Sequence, residues 1–226
     1  MREIVLDTET TGLNPATGDR IVEIGCVELI NHLPSGETYH QYINPERPMP
    51  EEAFNIHGLS DEFLADQLPM SDVAEAFLEF IGDAPLVIHN ADFDMRFINA
   101  ELTALDRPPL SKARAIDTVS MARSAFPGAA ASLDALCKRF GIDNSSRSLH
   151  GALLDAQLLA EVYLELIGGR QADMGLKDDA SGPSEVRPEA AGDAARRAPR
   201  PHAATDAEQT AHDAFLEKIE KPIWRE

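Results

Sequence analysis

The sequence predicts an α/β fold: a mixed sheet that opens as a three-strand antiparallel meander, continues with parallel strands, and is flanked by helices. Ile4-Val5-Leu6 is a short apolar run closed by the turn signal Thr10-Thr11-Gly12, which reads as a buried strand. Two further strand-like runs follow over short connections, and such runs make a meander. Beyond Glu51, apolar strands alternate with helical periodicity, the order of a sheet of mixed direction with helices packed on it.

Taken in order, the loop Asn14–Asp19 is rich in Asn, Pro, Gly and Asp and leads into a second strand, Arg20–Ile30. Strict alternation there assigns Val22, Ile24 and Cys26 to one face and Ile21, Glu23 and Gly25 to the other. Leu33-Pro34-Ser35-Gly36 reads as a turn before a third strand, Glu37–Ile43, and the three prolines of Asn44–Pro50 make a loop. A short helix runs from Glu51 to a stop at Gly58. Ser71 and Asp72 cap a clearer helix with Val73, Phe77, Leu78 and Ile81 on its apolar face. Leu86-Val87-Ile88 is a brief apolar strand, after which His89-Asn90-Ala91 turns into a helix carrying Phe93, Phe97, Ile98 and Leu102. Another strand ends near Asp117 and is followed by helices over Thr118–Phe126, from Ser132 through Phe140, and over Leu149–Ile167.

The chain has 226 residues and a formal charge of −19. Residues 171–226 hold 12 acids and 8 bases, which leaves −15 on residues 1–170. A basic nucleic-acid-binding face is therefore absent from the composition. An enzyme that binds phosphate through metal ions needs fewer Lys and Arg, so the charge does not exclude a nucleic-acid substrate. Cys26 and Cys137 each sit in an apolar pattern and read as reduced core residues. The N-terminus lacks a signal-peptide shape and no apolar run approaches the ~20 residues of a membrane span, so a soluble, cytoplasmic protein is expected. Residues 1–170 make the main domain. Residues 177–204 have the composition of a disordered linker, and residues 205–226 regain helix-like content with Phe215, Leu216, Ile219 and Trp224, as a docking element would.

The chemistry is concentrated in acids near strand ends. Asp7 and Glu9 stand two apart on a strand and so point to one face, where their repulsion and desolvation are relieved by a shared divalent cation. Of Asp92 and Asp94, the first stands where a helix cap would be and the second just inside the helix, pointing off the packed face; composition alone does not choose between them. Asp155 falls in the last helix beside Leu153, Leu154, Leu158 and Leu159, and His150 precedes that helix at a Leu-His-Gly corner, placed for general-base work beside a metal site.

Asp-x-Glu after one strand, His-Asn-Ala-x-Phe-Asp after another, and His-x4-Asp on a late helix together resemble the DEDDh family of 3′–5′ exonucleases. The resemblance covers roughly residues 3–167 and implies a ribonuclease H-like fold. It selects Asp94 over Asp92, which stays a cap. Leu149–Gln157 and Glu52–Gly58 are similar to phrases in the proofreading subunits of bacterial replicative DNA polymerases, which implies substrate contacts from Glu52 and His57. The implied mechanism is phosphodiester hydrolysis with two divalent ions, Mg²⁺ or Mn²⁺, held by Asp7, Glu9, Asp94 and Asp155, with His150 taking a proton from water. Asp7, Glu9 and Asp155 would then face the substrate as well. A frayed or single-stranded DNA 3′ end is the expected substrate. Gln171, Met174 and Leu176, within residues 171–176, resemble a sliding-clamp-binding peptide. The tail around Trp224 falls where this family's subunit docks its polymerase partner. The competing expectations are a free-standing nuclease that trims RNA or oligonucleotide ends, and a polymerase–clamp scaffold with little nuclease activity.

Overall fold

The structure, a computed structural model, describes residues 1–145, 149–168 and 204–218. The chain divides into two units, Met1–Leu176 and Lys177–Glu226. The first unit is built on a five-stranded sheet of order β3-β2-β1-β4-β5, with β1 Arg2–Thr10, β2 Ile21–Ile30, β3 Leu33–Tyr42, β4 Leu86–Ile88 and β5 Ala115–Asp117. β2 pairs antiparallel with both β1 and β3, whereas β4 runs parallel to β1 and β5 parallel to β4. This is the mixed sheet that the sequence predicts.

Alternation along β1 sorts its side chains onto two cores. Ile4 and Leu6 pack with Ile24, Cys26 and Ile88 against α3 (Met70–Ile81) and α4 (Ala91–Ala104), around the fully buried rings of Phe77 and Phe97. Val5 packs on the other face with Val27, Leu29 and Val87 against α6 (Leu133–Phe140) and α7 (Ala152–Leu166). Both faces of the sheet are thus covered. Burying each large apolar side chain contributes roughly 1.5–3 kcal/mol. Cys26 and Cys137 are both fully buried inside these cores.

The remaining α-helices among the described residues of this unit are α1 (Glu51–His57), α2 (Asp61–Ala65), which Ser60 caps, and α5 (Thr118–Ala125). The five-residue α2 is too short to leave a periodic signal in the sequence. In the second unit, α8 (Asp206–Leu216) starts with a capping box in which the Thr205 hydroxyl accepts from the Glu208 amide and the Glu208 carboxylate accepts from the Thr205 amide. Among the described residues, no helix is long and apolar enough to cross a membrane.

Several local readings are corrected. The hairpin turns at Asn31-His32, both at positive φ, and not at Leu33–Gly36. Pro34 misleads because a proline is tolerated in β3, an edge strand. The face assignment of Ile21 is reversed. Glu9 pairs with Glu23 but Thr10 pairs with Ile21, and this bulge turns Ile21 onto the Ile24 and Cys26 face. Helix α3 starts at Met70, after Pro69, rather than behind a Ser71 cap, and α7 starts at Ala152 rather than Leu149.

Candidate active site

β4 pairs with β1 only as far as Leu6↔Ile88. Past that point one flank of β1 is open, and α4 begins there, so a cleft forms where parallel strands end, the usual place for a site in such sheets. A cavity of about 910 Å³ occupies it. Asp7, Glu9, Glu52, His57, Asp94, His150 and Asp155 all line this cavity. The separated acids and histidines of the sequence therefore converge. Gln171, Met174, Leu176 and Trp224 lie outside the described residues.

Asp7 and Glu9 project from the face of β1 that carries Val5, toward α7. The first turn of α7 lies almost on the sheet because Gly25, the register partner of Asp7, has no side chain: a Cβ there would come within 2.2 Å of the Leu153 nitrogen. That approach brings Asp155 to Glu9. One ligand atom each from Glu9, His150 and Asp155 falls within 4.8 Å of the others. Asp155 is buried in the first helical turn, where the helix dipole favours a carboxylate. His150 is half exposed, with Nδ1 3.4 Å from Asp155 Oδ2. Its backbone amide donates to Ile56 O of α1 at 3.1 Å.

Asp94 enters from the opposite core. The sequence expectation that it points off the packed face is corrected, for only 3% of it is exposed. Thr8, which shares the face of Ile4 and Leu6, donates its hydroxyl to Asp94 Oδ1 at 2.7 Å. Burial pushes the Asp94 carboxyl up to about 7, with the Thr8 hydroxyl opposing that rise. Asp92 is not the cap that the sequence suggested. It is exposed and pairs with Lys112 Nζ at 2.8 Å, while the amides of Asn90 and Ala91 donate to Asp117 Oδ1. The same Asp117 carboxylate accepts from the Val119 amide to cap α5. Thr8 and Asp117 are the positions that sequence reasoning missed. The available signals were a hydroxyl between two acids and an Asp at a strand end before Thr-Val-Ser.

On α1, Glu52 is exposed at the cavity rim. His57 is buried; Nδ1 accepts from the Leu59 amide at 3.0 Å and Nε2 has no hydrogen bond of regular geometry. Burial lowers its pKa, against a smaller opposing contribution from the Thr10 backbone, so the ring is neutral at pH 7 and the proton resides on Nε2. Below these residues the Thr10-Thr11-Gly12 segment is fixed by Thr10 Oγ1 donating to Gly12 O at 2.6 Å and the Arg20 amide donating to Thr11 Oγ1 at 3.0 Å.

The donor set suits a hard divalent cation. The group within ligand distance consists of the Glu9 and Asp155 carboxylates with the His150 imidazole beside them, and no cysteine lines the cavity. The Asp94 carboxylate is costly to bury alone, and a nearby positive charge would offset that cost.

An exonuclease family model matches residues 4–163. The DNA polymerase III subunit epsilon of Rickettsia conorii is 58% identical over 181 residues, covering 79% of each chain. That of Escherichia coli is 43% identical over 237 aligned positions, covering 99% of this chain and 97% of its own. The chain belongs to the epsilon-subunit family of exonucleases. Solved structures place this epsilon-family fold in wider company. Exonuclease X, in complex with 5′-overhanging duplex DNA, matches with a TM-score of 0.58 at 27% identity over 73% of this chain and 90% of its own. The nuclease domain of 3′hExo, a DEDDh family member bound to rAMP, matches with a TM-score of 0.63 over 74% of this chain and 91% of its own. At 18% identity the latter shares the fold alone.

Proposed function

We propose that this chain removes mismatched 3′-terminal nucleotides from DNA as the proofreading subunit of a bacterial DNA polymerase III, working in the cytoplasm. The observation that carries the reading is the convergence of Glu9, His150 and Asp155 to within 4.8 Å in a cavity that Asp7 and Asp94 also line. Asp7, Glu9, Asp94 and Asp155 would hold two divalent ions, Mg²⁺ or Mn²⁺. Bound there, the ions supply Lewis-acid activation and charge neutralisation at the phosphate.

The chain's own residues do the rest. His150 takes the proton of the attacking water; the water oxygen bonds to phosphorus, the P–O3′ bond breaks, and the leaving 3′-oxygen is protonated from solvent. A nucleoside 5′-monophosphate results. The exposed imidazole suits this role because it can exchange its proton with bulk water between turnovers. Asp155 orients the ring through Nδ1, leaving Nε2 for the water. Glu52 and the neutral His57 face the terminal nucleotide from α1. Selection for mismatches comes from the site's demand for an unpaired end, because a mismatched terminus frays at lower free energy than a paired one.

Residues 171–176 as a clamp-binding peptide and residues 205–226 as the polymerase-docking segment complete the proposal. The near full-length match to the E. coli epsilon subunit supports the second of these.

The test is release of 5′-mononucleotides from a 3′-mismatched primer–template. His150→Ala should lower the rate by roughly 10²–10⁴-fold, the range for loss of a general base, and Asp7→Ala should abolish it. Cleavage of RNA ends in preference to DNA ends would instead favour a free-standing trimming nuclease.

A further inference from the structure

Glu23 is a buried acid that the proposed reaction does not use. It is 3% exposed on β2 and does not line the cavity. Yet it is the register partner of Glu9 across the antiparallel β1–β2 pair. Directly opposed residues share a face, with Cβ atoms roughly 4.5–5.5 Å apart, and like charges so placed destabilise the pair. Glu9 is itself 8% exposed, so little water separates the two carboxylates.

His40 resolves where Glu23 points. On β3, His40 is the register partner of Gly25 and stands diagonal to Glu23 on the same face. Its Nε2 lies 2.7 Å from Glu23 Oε1. The His40 ring is held edge-on to Tyr42 with centroids 4.7 Å apart, and Tyr42 packs edge-on to Phe63 at 4.9 Å. The anchor thus draws the Glu23 carboxylate toward β3, away from the cavity, and an aromatic stack fixes the anchor. Burial first, and the Glu23 charge second, raise the pKa of Tyr42, so the charge is felt along this row.

We infer that Glu23, anchored by His40, is a positioning residue for Glu9 that sets how tightly the site takes a divalent cation. This rests on Glu9 being a metal ligand, as proposed above. A fixed negative charge one strand behind Glu9 disfavours every Glu9 rotamer that leans toward β2 and favours those directed at Asp155 and His150. It also deepens the negative potential that a cation meets. A buried Glu–His pair adds little stability of its own, and an apolar pair would fill the same space at lower desolvation cost. Its effect therefore lies in the site rather than in the fold.

The experiment is calorimetric titration of the full-length chain with Mn²⁺, with no substrate present, on wild type, Glu23→Gln and His40→Gln. Melting temperatures are read without metal on the same samples. Removing one charge about 10 Å from the ion should weaken Mn²⁺ binding roughly three- to tenfold even with the dielectric of bulk water between them. At saturating Mn²⁺, turnover of Glu23→Gln should stay within about twofold of wild type, because no group that meets substrate has changed. His40→Gln keeps an N–H donor and should bind Mn²⁺ like wild type. Unchanged Mn²⁺ affinity in Glu23→Gln, whatever its melting temperature, overturns the inference and leaves a structural pair. Lost turnover at saturating Mn²⁺ with unchanged affinity also overturns it, since Glu23 would then act in the chemistry. A loss in His40→Gln equal to that in Glu23→Gln overturns the anchoring role of the donor. Failure of the wild type to bind Mn²⁺ would defeat the reading of Glu9 as a ligand, a different failure from any of these.

Discussion

If Asp94 holds metal as proposed, it links the stability of this protein to its chemistry. Its folded pKa of about 7 lies above the ordinary Asp value of 3.8 because it is buried. Between those values the folded state holds a proton that the unfolded state has released, so the contribution to stability is full below the lower value and is lost as pH rises through the upper one. The loss is on the order of 4 kcal/mol at neutral pH. Asp94→Asn should therefore melt higher than wild type without metal, and its advantage should be larger at pH 7.5 than at pH 5.5. Adding Mg²⁺ should close the gap by stabilising the wild-type carboxylate alone. A pH-independent difference between the two melting curves would show that the Asp94 carboxyl does not titrate in this window.

At the scale of elements, the site depends on α7 lying unusually close to β2, and Gly25 is what permits it. A methyl group there would meet Leu153 N at 2.2 Å and Ala152 O at 2.4 Å, both backbone atoms that cannot rotate away. Gly25→Ala should destabilise the domain by about 1–3 kcal/mol or more. It should also reduce activity further than that loss explains, because Asp155 and His150 ride on the displaced turn. Thermal melting and kcat measured together at a temperature well below the transition would separate the two effects; full activity in a folded Gly25→Ala protein would sink the argument.

The same contrast explains what was legible in the sequence. Asp7 and Glu9 could be placed on one face from alternation alone, and the apolar runs marked β1, β2, β4, α3 and α4. The bulge opposite Thr10 could not be read, because one extra residue reverses the alternation without changing composition. The turn at Asn31-His32 was hidden by the stronger turn chemistry of Pro34-Ser35-Gly36 just after it. The burial of Asp94 was equally hidden, since Thr8 satisfies it from 86 positions away in sequence. The roles proposed for Asp94, Glu52 and His57 came from family resemblance, and the role of Asp117 in holding the start of α4 left only a capping signal.

For the whole molecule, the governing quantity is charge. Residues 1–170 carry −15, and the site itself is a concentration of carboxylates. Such a surface repels a polyanion, so binding of a DNA end has to come from a few contacts made at the site. Salt dependence measures this directly. A protein that neutralises six to ten phosphates with Lys and Arg loses roughly 10³–10⁵ in affinity between 50 and 200 mM salt, because each neutralised phosphate releases counterions. Here the KM for a single-stranded DNA substrate at saturating Mg²⁺ should change by less than about tenfold over that range, because few cationic side chains replace counterions. A steep, thousandfold rise in KM would reveal a cationic track that the composition does not suggest. The shallow dependence would also account for a division of labour: the acidic domain supplies metal-dependent cleavage of the terminal nucleotide, and a polymerase partner supplies the hold on the duplex. Adding that partner should lower KM and restore the steep salt dependence, while kcat at saturating DNA stays within a few-fold of the value for the epsilon-family chain alone.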